Sequence, residues 1–138
     1  MMLRSLILPA VLVGIGLPTL AAVDLRSGQY RVTTVMSGQS QPSVRFECFG
    51  PDDVDVFALP EPDEGTRCEI TRNTIASGRI DLARTCTDDQ GRHSEGSAVG
   101  TYSDTGFNLH VRLSGDVLSA PVEVRSVGQR LAATCVAD

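Results

Sequence analysis

Cys68-Glu-Ile-Thr-Arg-Asn-Thr-Ile-Ala-Ser-Gly-Arg-Ile-Asp-Leu-Ala-Arg-Thr-Cys86 reads as a β-hairpin with a cysteine at each foot. Its arms, Cys68 to Ile75 and Arg79 to Cys86, are rich in β-branched residues. Between them Ala76-Ser77-Gly78 offers a glycine for the left-handed conformation a short turn needs. A three-residue loop pairs Ile75 with Arg79. Counting back sets Thr74 against Ile80, Arg72 against Leu82, Ile70 against Arg84 and Cys68 against Cys86. Ile70, Ile80, Leu82 and both sulfurs then share the core side of the sheet. Directly opposed residues hold their Cβ atoms roughly 4.5–5.5 Å apart, whereas a relaxed disulfide wants about 3.5–4.5 Å. Each of these cysteines is therefore expected to bond to another strand.

The chain on either side carries more strands of the same kind. Gly28 to Met36 puts Tyr30, Val32 and Met36 on one face and Arg31, Thr33 and Val35 on the other. After the turn-forming Ser37 to Pro42, Ser43 to Phe49 alternates Val44, Phe46 and Cys48 against Arg45 and Glu47, and the two segments are expected to pair. Gly50-Pro51-Asp52-Asp53 has the proline and carboxylates of a helix start, and Pro60 and Pro62 stop anything longer. A short helix or turn laying Val54, Val56 and Phe57 on a sheet face is expected there. The alternative of a calcium loop at Asp52, Asp53 and Asp55 lacks the central glycine and terminal glutamate of an EF-hand.

Beyond the turn Thr87 to Gly91, a glycine-rich strand over Arg92 to Tyr102 returns through Ser103 to Gly106 into Phe107 to Ser114. Pairing Tyr102 with Phe107 sets Gly100 against Leu109, Ala98 against Val111 and Gly96 against Leu113, small residues opposite large ones. Those glycines permit close packing of a neighbouring element or leave room for an apolar ligand. Ala120 to Val127 alternates again, and Gly128 interrupts it, as in a bulged or bent last strand running to Cys135. The fold expected is all-β: an antiparallel six- to seven-stranded curved meander or partial barrel with one short helix and two disulfides.

Arg4, the apolar run Leu6 to Leu17 and the small residues Ala21 and Ala22 read as a signal peptide over residues 1–22, ahead of a single domain over 23–138. The apolar run is short for a spanning helix, so no stable membrane insertion is expected after cleavage. The net charge is −5 and every basic residue is arginine, which disfavours nucleic acid or anionic lipid as a partner. Four cysteines fit two disulfides in the periplasm or outside the cell, whereas no C-x-x-C pair supports zinc. With Cys68–Cys86 disfavoured, and Cys48–Cys135 with it, Cys48–Cys68 with Cys86–Cys135 and the crossed pairing remain. The first is preferred because each bond closes a separate loop.

Gly28-Gln-Tyr-Arg-Val32, Cys48 with Gly50-Pro-Asp-Asp53, Cys68, Arg84-Thr-Cys86 and Ser126-Val-Gly-Gln-Arg-Leu-Ala-Ala-Thr-Cys135 resemble the small exported bacterial proteins grouped as domain of unknown function 3617. The sequence departs at Tyr30, where tryptophan is expected, and at Ala133-Thr134, where glycine often precedes the last cysteine. The resemblance implies a periplasmic or secreted β-domain and no particular activity.

Catalytic chemistry finds little support. His93 and His110 lie about 20 Å apart in the register above, too far to share a metal or a proton. No G-x-S-x-G elbow occurs. No cofactor, metal or catalytic residue is expected. Two non-enzymatic readings follow. One is a module holding an apolar or lipid-like ligand against Tyr30, Gly96, Gly100, Phe107 and Leu109. The other is an envelope protein-interaction or structural component with a filled core, using a sheet edge or the polar face around Arg112 and Arg125.

Overall fold

A computed structural model describes residues 25–50 and 57–136. Seven antiparallel strands form one open sheet: β1 Gly28–Met36, β2 Ser43–Phe49, β3 Arg67–Ala76, β4 Arg79–Thr87, β5 His93–Ser103, β6 Gly106–Gly115 and β7 Val122–Ala132. Their spatial order is β2-β1-β7-β6-β5-β4-β3, so the first and last strands meet inside the sheet. No α-helix occurs among the described residues. The signal peptide and residues 51–56 of the expected short helix, with the carboxylates of the calcium alternative, lie outside them.

This order sends the chain from one edge of the sheet, at β2, to the opposite edge, at β3. The connection lays Phe57 against Phe107 of β6 and Tyr102 of β5, with ring centroids 5.3 and 5.6 Å apart. Leu59 follows, packed on the same core. The Arg84 guanidinium of β4 then donates to the Pro60 carbonyl. The connector thereby covers the β4–β6 part of the inner face. The core on that face is Tyr30, Val32, Phe49, Ile80, Leu82, Ala98, Phe107 and Leu109, all buried.

The β5–β6 register is the expected one throughout: Tyr102 opposes Phe107, Gly100 Leu109, Ala98 Val111 and Gly96 Leu113. The β3–β4 hairpin departs from expectation at its tip. Its loop is the two residues Ser77 and Gly78, with φ of 52° and 78°, and Ala76 pairs with Arg79. Positive φ at both central residues is what a type I′ turn requires, and its twist suits a two-residue hairpin. Ile75 therefore faces Ile80, one step from the expected register. A bulge at Thr71 absorbs the extra residue, so Ile70 still faces Arg84 and Cys68 still faces Cys86.

The disulfide expectation is corrected. Cys68 bonds directly to Cys86 and Cys48 to Cys135; neither Cys48–Cys68 nor Cys86–Cys135 forms. The mean spacing of opposed strands was the wrong guide. At Cys68 and Cys86 the backbones pinch to a Cα separation of 4.1 Å, closer than an ordinary non-hydrogen-bonded pair at about 4.5 Å. Cys135 reaches Cys48 across the outer face, where the Val136 N–H donates to Gln29 Oε1. The C-terminal tail is thus clamped to the β2 edge, not to β4.

The expected irregularity at Gly128 is also relocated. β7 pairs continuously through Gly128 with both neighbours, and the bulge sits at Leu131, between the partners of Gln29 and Tyr30. Gly128 serves packing instead. A Cβ there would stand 2.1 to 2.6 Å from three ring carbons of Phe107, so the ring lies flat on bare backbone.

Candidate functional site

Tyr30, Gly96, Gly100, Phe107 and Leu109 all lie on the inner face, and the fold brings them into one region. Directly over their small members stand the protein's own atoms, although Gly96 also borders surface openings. Leu59 and Leu113 stand over Gly96, where a Cβ would meet their methyl groups at 3.7 and 3.3 Å. At Gly100 the Asn108 carbonyl oxygen of β6 approaches to 2.0 Å of the Cβ position, so glycine is needed there for a backbone contact. Phe107 is held between Phe49 and Phe57, and Phe49 stacks at a tilt on Tyr30 with centroids 4.9 Å apart.

Tyr30 is fully buried, and its hydroxyl donates to the Arg26 carbonyl at 2.6 Å. Burial pushes this phenol above its ordinary pKa; Arg130 opposes the shift, Asp104 adds to it, and Arg26 opposes it more weakly. Its role is that of an anchored core side chain. Sequence reasoning placed Phe57 on a sheet face, yet it could not show that Phe57 would fill the ligand space, because the path of the connector leaves no periodic signal.

Several openings remain at the surface, among them a shallow one of about 170 Å³ on the inner face beside β2, lined by Val32, Phe49, Phe107 and Leu109. An apolar groove of about 270 Å³ runs beside the β3 edge, lined by Leu59, Ile70, Ile75 and Leu82. Ile70 is 67% exposed there. A polar trough of about 440 Å³ lies across β3 to β6, with Arg72, Glu95, Ser97 and Arg112 on its walls. Arg72 is already bound to Asp81 at 2.7 Å. Arg125, the other arginine expected on the polar face, is exposed opposite His110.

The histidines do not converge. His93 pairs with Thr87 and its ring Nδ1 shares a hydrogen bond of 3.2 Å with the Thr87 hydroxyl, while its backbone N–H donates to the Asp116 carboxylate. His110 on β6 faces Val99 of β5, six residues along β5 from His93, with Nε2 buried 3.9 Å from a Glu123 oxygen. All four cysteines are oxidised. Among the described residues no cluster of three or more His, Cys, Asp or Glu side chains could hold a metal, and no helix is long and apolar enough to cross a membrane.

The outer face is different in character. Val35, Val44, Phe46 and Val127 are exposed there, and Phe46, at 64%, is the most open of the four. Val44 and Val127 flank Thr33 in one row, and Phe46 flanks Arg31 in the next.

No curated protein and no solved structure matches the chain. The family model described as protein of unknown function (DUF3617) matches residues 25–135, which include all seven strands and both disulfides, and the chain belongs to that family.

Proposed function

We propose that the protein works outside the cytoplasm as a non-catalytic interaction or structural module of the cell envelope, binding through the surface of its sheet and not by enclosing a ligand. The observation that supports this is Phe57, 1% exposed, packed against Tyr102 and Phe107 in the middle of the inner face. An apolar-ligand module needs that volume open. The two disulfides suit an oxidising compartment, and the separated histidines offer no acid–base pair. A second reading, an apolar ligand in the groove at Leu59, Ile70, Ile75 and Leu82, draws on the exposure of Ile70.

Native mass spectrometry of protein purified from the periplasm separates the two. The surface-binding reading expects the mass of the oxidised polypeptide with no stoichiometric organic companion, and an unchanged melting temperature after solvent extraction. A lipid-like molecule that co-purifies one to one, and whose removal lowers the melting temperature, would overturn it.

A further inference from the structure

The sheet has two edges, and they are guarded unequally. Both edge strands carry charges and a disulfide, but only β3 carries a bulge, at Thr71, which discourages pairing with another chain. β2 has none: its ladder to β1 runs without a break from Ser43 to Phe49, and no described strand pairs with its other side. Its outward side chains Val44 and Phe46 are apolar and exposed. Its inward side chains Arg45 and Glu47 form an ion pair at 3.0 Å, close to the solvent.

We propose that β2 is a self-association edge that pairs antiparallel with β2 of a second copy, centred on Phe46. The inference rests on the surface-binding reading above and names its partner. Phe46 is the middle residue of Ser43–Phe49. An antiparallel copy centred there sets each residue against the one equally far on the other side of Phe46. Arg45 then faces Glu47 of the second copy, and Glu47 faces its Arg45, so the two existing ion pairs join into an alternating square of four charges. On the opposite face Phe46 meets Phe46 of the second copy, with each Val44 beside the other chain's Cys48. A two-fold axis demands this kind of self-complementarity, and the segment has it in both charge and shape. A partner of unrelated sequence would have no reason to match the Arg-Phe-Glu order.

Seven residues a side bury less than the roughly 1,200 Å² of a standard interface, so the dimer is reversible, with a dissociation constant on the order of tens of micromolar.

Sedimentation equilibrium of the oxidised, exported chain, carried to about ten times that concentration, tests it. Arg45→Glu replaces two attractive cross-strand pairs by two repulsive ones and weakens the dimer about thirtyfold, as does Glu47→Arg. The charge swap R45E/E47R keeps every pair with its signs reversed and restores affinity to within about threefold of the parent. Phe46→Ala, outside the core, weakens association independently of charge, whereas Ile70→Ser on the β3 edge leaves it unchanged. Circular dichroism and melting temperature confirm the fold of each variant. A parent that stays monomeric, or a swap that fails to restore what the single changes lose, overturns the proposal. A monomer leaves the ligand-free interior standing, and a bound lipid would remove that reading without touching the edge, so the two failures are distinguishable.

Discussion

Gly128→Ala isolates one packing contact. Gly128 does not have positive φ, so alanine meets no backbone penalty there, and the whole cost is the new methyl group. That methyl stands 2.1, 2.5 and 2.6 Å from three ring carbons of Phe107, distances at which something must move. The ring has nowhere easy to go: it is buried, with Phe49 at 6.3 Å and Phe57 at 5.3 Å. Overpacking of this kind costs about 1–3 kcal/mol, and a value near 2 lowers the melting temperature by about 10 °C in a domain of this size. Phe107→Ala alone costs about 3–5 kcal/mol through the cavity it leaves. The double variant should cost little more than Phe107→Ala, because the added methyl has lost its obstacle. The coupling, near 2 kcal/mol, is read from urea denaturation of the four proteins as a double-mutant cycle. Additive losses, or a neutral Gly128→Ala, would refute the placement of the ring on the β7 backbone.

Other predictions concern the bonds and the titrating groups. Loop entropy ranks the disulfides: Cys48–Cys135, closing 87 residues, contributes about 4.5 kcal/mol and Cys68–Cys86, closing 18, about 3 kcal/mol, so paired serine variants should fall in that order in chemical denaturation. Non-reducing tryptic mapping should link peptide 68–72 to 85–92 and 46–67 to 131–138; a link between 46–67 and 68–72 contradicts the topology. In the β4–β5 turn the Asp88 carboxylate accepts the Arg92 N–H, the Arg92 guanidinium and the Gln90 N–H. The backbone bond from Arg92 leads in holding it below the ordinary aspartate value. A depressed carboxyl pKa contributes stability above about pH 3.9 that fades as pH falls through the folded-state value, so its carboxyl NMR titration should have a midpoint below that figure, and Asp88→Asn should flatten the acid limb of stability. The raised phenol of Tyr30 works oppositely: its contribution is whole below about pH 10 and is lost as pH climbs through its folded value, a loss that Tyr30→Phe should remove from the alkaline unfolding curve.

How much of this was legible in the sequence depended on the range of the interaction. β5–β6 was read correctly residue by residue, because a two-residue turn at Asp104-Thr105 and the alternation of small with large residues are both local. At β3–β4 the foot was right and the tip wrong, since Ser77 in a left-handed conformation is not a residue one expects there, and the Thr71 bulge then cancelled the slip before Ile70. The disulfides failed for a related reason: an average strand spacing was set against a pair that local pinching brings to 4.1 Å. The packing over Gly96 was out of reach because it arises at long range: nothing in that glycine announces that Leu59, from the other side of the chain's path, will stand on it.

The least legible choice was which way β2 faces, and it follows from parity. Phe46 and Phe49 are three residues apart, so a flat strand must turn one to the core and the other to solvent. Phe49 goes inward because Tyr30 lies 4.9 Å from its ring and Phe107 6.3 Å, whereas inward Phe46 would also carry Cys48 inside, away from Cys135 on the outer face. Arg45 and Glu47 are then forced to the inner side, at the rim where the sheet ends and beside a shallow opening that Val32 and Phe49 also line. An edge of this composition is neither buried nor bulged, and its apolar centre lies between two opposite charges. The same parity that secures the aromatic core therefore leaves the Arg-Phe-Glu triplet displayed, which is the condition the self-pairing of β2 requires.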